Sequence, residues 1–224
     1  MMMSALLPLV GAEVTTMTTG VRRPPGRHKG RYIGKWMSVK TGEVMFWESQ
    51  LERALLRLLE WDTAVRYYLT QPFRIFYLDE GKVRRYTPDV LVEINQKVII
   101  EVKPESKTLD TEFQRWVSIV RNTLSEEGYA FEIRTERDIQ REPKLSNVTY
   151  LLRYRRHPVP EEIELSVKRW VREEPGLSLG EVIDRLGGTP EALCQSYALM
   201  VRHAVRYDIE QPFSRALPLL PFIN

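Results

Sequence analysis

The chain has 224 residues, 43% of them hydrophobic, enough for one medium domain with a proper core and a small second one. A net charge of only +3 excludes a polybasic nucleic-acid coat, so any DNA contact must come from local basic patches. One cysteine excludes an internal disulfide framework and fits a reducing compartment, and the apolar run 5–10 is too short for a membrane span and lacks the basic flank of a secretory signal.

Residues 1–30 read as a weakly structured arm, small and Thr-rich and then basic over 21–31. Two readings of that run stand level: a solvated tail, or an arm whose Arg22, Arg23, Arg27, Lys29 and Arg31 grip DNA phosphates. Residues 47–61 predict a helix with Leu51, Leu55, Leu58 and Leu59 as its apolar stripe. Gln50, Arg53, Arg57 and Glu60 fall on the opposite face, predicted wet, whereas Glu48 and Glu52 lie at the stripe's edge, where a carboxylate can look into a cleft.

Residues 65–69, 73–78, 83–94 and 97–102 are rich in β-branched and aromatic side chains and predict strands. An amphipathic helix over 109–124 and a strand over 129–134 follow. After 157–160, a Pro-rich linker, the pattern predicts a helix over 160–173, a short helix opened by the capping box at Ser178 and Glu181, and a longer helix from Thr189-Pro190 to about Val205. Residues 205–213 and 215–219 complete a winged helix-turn-helix as a hairpin. The predicted division is an arm over 1–30, a domain over 31–156 and a winged-helix domain over 157–224.

Thr87-Pro88-Asp89, followed by Glu101-Val102-Lys103, is the most informative feature of the chain. On a strand over 97–103, alternation puts Glu101 and Lys103 on one face. Asp89 faces Glu101 only if paired residue numbers sum to 190, which requires a three-residue loop at 94–96 or an equivalent bulge. A two-residue turn at 95–96 places Asp89 against Val102, on the wrong face. An isolated match of this kind is most often a surface ion pair beside a turn-capping aspartate. Its position on neighbouring strands, after a helix with an edge glutamate, points instead to phosphodiester hydrolysis. Asp89, Glu101 and the carbonyl of Val102 are the expected ligands of Mg²⁺, and Glu52 completes the shell directly or through water. Lys103 either helps deprotonate the attacking water or neutralises charge on the phosphorane. One or two ions act, about 3.5–4 Å apart if two.

These residues resemble the restriction-endonuclease-like PD-(D/E)xK superfamily. More closely, Lys40-Thr41-Gly42, the run Ser49-Gln50-Leu51-Glu52 through Leu59-Glu60-Trp61, Thr87-Pro88-Asp89 and Glu101-Val102-Lys103-Pro104 resemble TnsA, the endonuclease subunit of Tn7-like heteromeric transposases. The resemblance implies an α/β fold, a mixed sheet flanked by helices, and an endonuclease that cuts the 5′ ends of double-stranded transposon DNA with Mg²⁺, for which Mn²⁺ can substitute. It implies two partners, a TnsB-like DDE transposase and a TnsC-like AAA+ ATPase, and a cytoplasmic, nucleoid-associated place in a prokaryote, with no membrane. The family's glutamate, aspartate and lysine fall on Glu52, Asp89 and Lys103. Glu101 stands where the founding member has glutamine, which leaves metal preference open. The alternatives are a stand-alone restriction or repair nuclease of the same fold, or a non-catalytic DNA-binding adaptor.

Elsewhere, His28, His157 and His203 are scattered, no Walker-type loop occurs, and Cys194 and the tryptophans read as core. Arg153, Arg155 and Arg156, with Arg202 and Arg206 on the last helix, are further candidates for phosphate contact. Pro190, Glu191 and Ala192, at the start of that helix, are poor base readers, so the small domain is expected to dock proteins or hold DNA nonspecifically.

Overall fold

The computed structural model describes residues 34–222. The chain divides into two compact units between Ile139 and Gln140.

The first unit opens with a hairpin of β1 (Gly34–Met37) and β2 (Val44–Trp47), register Gly34↔Trp47. Trp47 therefore ends a strand instead of starting the helix. Ser49, in extended conformation, accepts the Glu52 amide at 3.1 Å, and this N-cap sets the start of α1 (Gln50–Trp61). The strands close tightly: a Cβ on Gly34 would lie 2.2 Å from the Trp47 ring.

Along α1, Leu55 and Leu59 of the expected stripe are buried, Leu51 and Leu58 are half-buried, and Ala54 and Leu56 are buried beside them. Glu60 is buried too, only 9% exposed, which corrects the wet-face expectation. The turn of the β1–β2 hairpin covers that face. Glu60 accepts hydrogen bonds from the Ser38 hydroxyl (2.6 Å), the Val39 amide (2.7 Å) and the Tyr68 hydroxyl (2.6 Å). The Lys40 ammonium donates to the Leu59 carbonyl at 2.8 Å and to that of Asp62, closing the helix's C-terminal end.

The strands β3 (Tyr67–Thr70), β4 (Ile75–Asp79), β5 (Lys82–Tyr86), β6 (Val90–Glu93) and β7 (Lys97–Val102) follow. The single strand expected over 83–94 is split, because Pro88 has no amide to donate and ends the ladder. β4 and β5 form their own antiparallel ribbon. After the short α2 (Glu105–Thr108), α3 (Thr111–Glu126) crosses to β8 (Ala130–Arg134), which pairs parallel to β7. The central sheet is mixed, in the order β3-β6-β7-β8. Val117, Val120 and Leu124 of α3 pack with Phe73, Ile75, Ile99 and Phe131 as one core on its face. The unit ends with α4 (Glu136–Ile139).

The second unit contains α5 (Lys144–Leu151), α6 (Glu161–Glu173), α7 (Leu179–Arg185) and α8 (Pro190–Val201). Residues 140–156 group here, not with the first domain to which the sequence assigned them. Asn147 donates to the Ile209 and Gln211 carbonyls at 2.8 and 2.7 Å, and Tyr150 and Tyr154 pack on Tyr197 of α8 with ring centroids 5.2 and 5.1 Å apart. These contacts join residues 43 to 64 positions apart, which no local pattern announces. The capping box of Ser178 and Glu181 is present, and Thr189 caps α8 with Pro190 at its first position.

The expected hairpin wing is not formed as two paired strands. Single bridges join Ser178 to Pro218 and Arg206 to Leu220 instead. Pro212, Pro218 and Pro221 deprive that stretch of the amides a ladder needs. Helix α8 stops at Val201, short of Val205, and His203 just beyond it takes a left-handed φ of 57°. Among the described residues no helix is long and apolar enough to cross a membrane.

Candidate active site

The pairing of β6 with β7 (Val90↔Ile100, Leu91↔Ile99, Glu93↔Lys97) has residue numbers summing to 190. Residues 94–96 form the loop, closed by the Ile94 amide on the Gln96 carbonyl at 3.2 Å. This register carries Asp89, one residue before β6, to the level of Glu101. The Asp89 carboxylate accepts the Val102 amide at 2.8 Å, and its carbonyl accepts the Gln71 amide at 2.9 Å. Both bonds fix the aspartate between the ends of β3 and β7.

Glu101 is 3% exposed and has both carboxylate oxygens engaged. Lys103 Nζ is 2.7 Å from one, and the Tyr86 hydroxyl donates to the other. The Tyr86 ring meets Trp116 edge-on at 5.0 Å, so the phenol is set by packing on α3. Glu52, on the first turn of α1, accepts the Glu48 amide at 2.7 Å and the Ser49 hydroxyl at 2.8 Å.

One cavity of about 490 Å³ gathers all of them: Glu48, Ser49, Glu52, Arg74, Arg85, Tyr86, Thr87, Asp89, Glu101, Val102 and Lys103 line it. Burial raises the pKa of Asp89 well above the ordinary aspartate value, and the charges of Glu101 and Glu52 add to it, against the Val102 amide and Lys103. Burial also raises the Glu52 carboxyl, opposed by its two hydrogen bonds. For Lys103 burial works against the charge, but the carboxylates outweigh it and hold the pKa above that of a free lysine. Tyr86 is held far above the usual phenol range by burial and by the charges of Glu101 and Asp89, so it keeps its proton and donates.

The chemistry of these donors suits a hard divalent cation: oxygen ligands only, at carboxylates crowded beside one ammonium. Among the described residues, however, no three His, Cys, Asp or Glu side chains stand together as a ready-made metal cage. Glu101 is held by Tyr86 and Lys103, and Glu52 is drawn back onto its own helix terminus.

Glu52, Asp89, Glu101, Val102 and Lys103 thus meet in one place. The arm residues Arg22, Arg23, Arg27, Lys29 and Arg31 lie outside the described residues. Arg153, Arg155, Arg156, Arg202 and Arg206 are all in the second unit, and none lines this cavity. Arg153 stacks over Tyr150 at 5.4 Å, and Arg155 donates to the Leu152 carbonyl. Arg202 donates to the His157 carbonyl, and with Arg206 it lies beyond the end of α8, not on that helix. Sequence reasoning missed Arg74, Arg85 and Tyr86 as cavity residues. The run Arg85-Tyr86 directly before Thr87-Pro88-Asp89 was a usable signal, because a strand entering the site must pass along its wall. Arg74 had none.

Residues 62–136 match the family model described as TnsA-like endonuclease N terminal. That span runs from the end of α1 into α4 and holds Asp89, Glu101 and Lys103, so this segment is TnsA-like. No curated protein matches the chain.

Proposed function

We propose that this chain is a Mg²⁺-dependent DNA endonuclease of the TnsA type. It cuts the 5′ ends of a transposon during cut-and-paste transposition, alongside a DDE transposase that processes the 3′ ends and an AAA+ ATPase that regulates both. The observation that carries this reading is the convergence of Glu52, Asp89, Glu101 and Lys103 on one cavity, three of them within the TnsA-like segment.

Asp89, Glu101 and the Val102 carbonyl would hold Mg²⁺, or Mn²⁺ in its place, with Glu52 completing the shell directly or through water. A bound ion supplies Lewis-acid activation of water and stabilises negative charge on the phosphoryl oxygens. Four carboxylates and three cationic side chains line the cavity, a formal excess of one negative charge. A single divalent ion reverses that sign, which a phosphodiester entering the cavity requires. Lys103, kept charged by its carboxylate neighbours, donates to and neutralises the oxygens of the reacting phosphate. Tyr86 keeps Glu101 aimed at the cavity.

The decisive experiment combines the protein with its cognate transposase, ATPase and end DNA and compares the parent with Asp89→Ala. Cleavage at the 5′ ends by the parent and not by the variant supports the reading. Equal cleavage by both proteins sinks it, and robust cleavage by the parent without partners indicates a stand-alone nuclease.

A further inference from the structure

We propose that Arg74 and Arg85 form a phosphate clamp on the wall of this cavity, holding one backbone phosphodiester of double-stranded DNA beside the carboxylates. The inference deepens the nuclease reading and rests on it for the identity of the ligand.

Arg74 immediately precedes β4, and Arg85 lies on β5 opposite Phe76. The pairing of those strands brings both residues to the same cavity. Arg84, beside Arg85 on β5, lies 3.7 Å from the carboxylate of Asp79, which Arg115 of α3 also approaches at 2.6 Å. Arg74 and Arg85 differ. Although four carboxylates line the cavity with them, neither makes an ion pair with any described residue. Lys103, the cavity's third cation, already pairs with Glu101 at 2.7 Å and serves the reacting phosphate from there, whereas these two guanidiniums carry no carboxylate partner. Arginine is the residue suited to that task. Its planar fork donates two parallel hydrogen bonds to a phosphate, and its charge survives beside other cations. The acids alone repel a DNA backbone, and the arginines offset that repulsion on the strand's path to the metal-binding oxygens.

The test measures DNA affinity of the full chain by fluorescence anisotropy, using a fluorescein-labelled duplex in chelator across a salt titration, so that no cleavage takes part. Removing one cation that neutralises a phosphate lowers the slope of log K against log salt by about 0.9. Arg74→Gln and Arg85→Gln should each lower it by about that much, and the double variant by about twice as much. Arg84→Gln, whose charge is spent on Asp79, should keep the parent slope, as should Arg74→Lys and Arg85→Lys, which keep the charge and control for folding. A double variant with the parent slope overturns the clamp, and so does a parent that binds no duplex. The outcome separates from that of the nuclease reading. A reduced slope with no end cleavage in the full assembly keeps the clamp and removes the nuclease, whereas cleavage with an unchanged slope does the reverse.

Discussion

Glu60 offers the sharpest test of how the first unit is held together, because its burial contradicts its place on the helix. Replacing it with alanine removes an acceptor shared by three donors at 2.6–2.7 Å. Tyr68 is fully buried and Ser38 is 1% exposed, so neither hydroxyl can turn to water. The orphaned Tyr68 hydroxyl alone costs about 1–3 kcal/mol, and the Val39 amide and Ser38 hydroxyl about 1 kcal/mol each, for a loss of about 3–5 kcal/mol. Glu60→Gln should cost less, about 1–2 kcal/mol, since its amide oxygen still accepts and a hydroxyl can rotate to accept from its NH₂. Urea unfolding followed by tryptophan fluorescence reads this unit, where four of the five tryptophans lie. A double-mutant cycle sharpens the result: Tyr68→Phe should cost about 1–1.5 kcal/mol in the parent but almost nothing in Glu60→Ala, where that hydroxyl has already lost its carboxylate acceptor. A Glu60→Ala protein within about 1 kcal/mol of the parent, or additive losses in the cycle, refutes the account.

Outcomes are expected for three further variants. Asp89→Asn keeps an acceptor for the Val102 amide and removes an anion crowded by Glu101 and Glu52, so in chelator it should melt no earlier than the parent. Mn²⁺ at a hundredfold excess over its Kd should stabilise the parent by about 2.7 kcal/mol and leave Asp89→Asn unmoved, as calorimetry or thermal melts can check. Tyr86→Phe removes a charge-assisted hydrogen bond from the buried Glu101, and it should weaken Mn²⁺ binding in titration calorimetry while costing stability only about 1–2 kcal/mol, because Lys103 still holds the carboxylate. Gly180→Ala in the second unit would place its Cβ 2.8 Å from the Arg215 carbonyl, at the bond from the Gly180 amide (2.7 Å), and should destabilise that unit by about 1–3 kcal/mol in thermal melts.

Much of the site was readable from local pattern. Alternation along β7 put Glu101 and Lys103 on one face, and matching Asp89 to that face demanded the register and the 94–96 loop that the sheet adopts. The N-caps at Ser178 and Thr189 were equally legible, since a cap is a contact within four residues. What failed was what a distant segment decides. Glu60 sat on the polar side of its helix by sequence, but the hairpin turn from residues 38–40 arrived with donors and covered it. Residues 140–156 looked like the tail of the first domain until Asn147 and the tyrosines found partners past residue 190. Arg74 became a cavity residue only through the pairing of β4 with β5. Period and capping are written into neighbouring residues, and so the sequence alone determined the elements and the pairing that aligns Asp89 with Glu101. Which surface is buried, and which charges are spent on one another, depends on segments meeting from afar, and only the tertiary structure decided that.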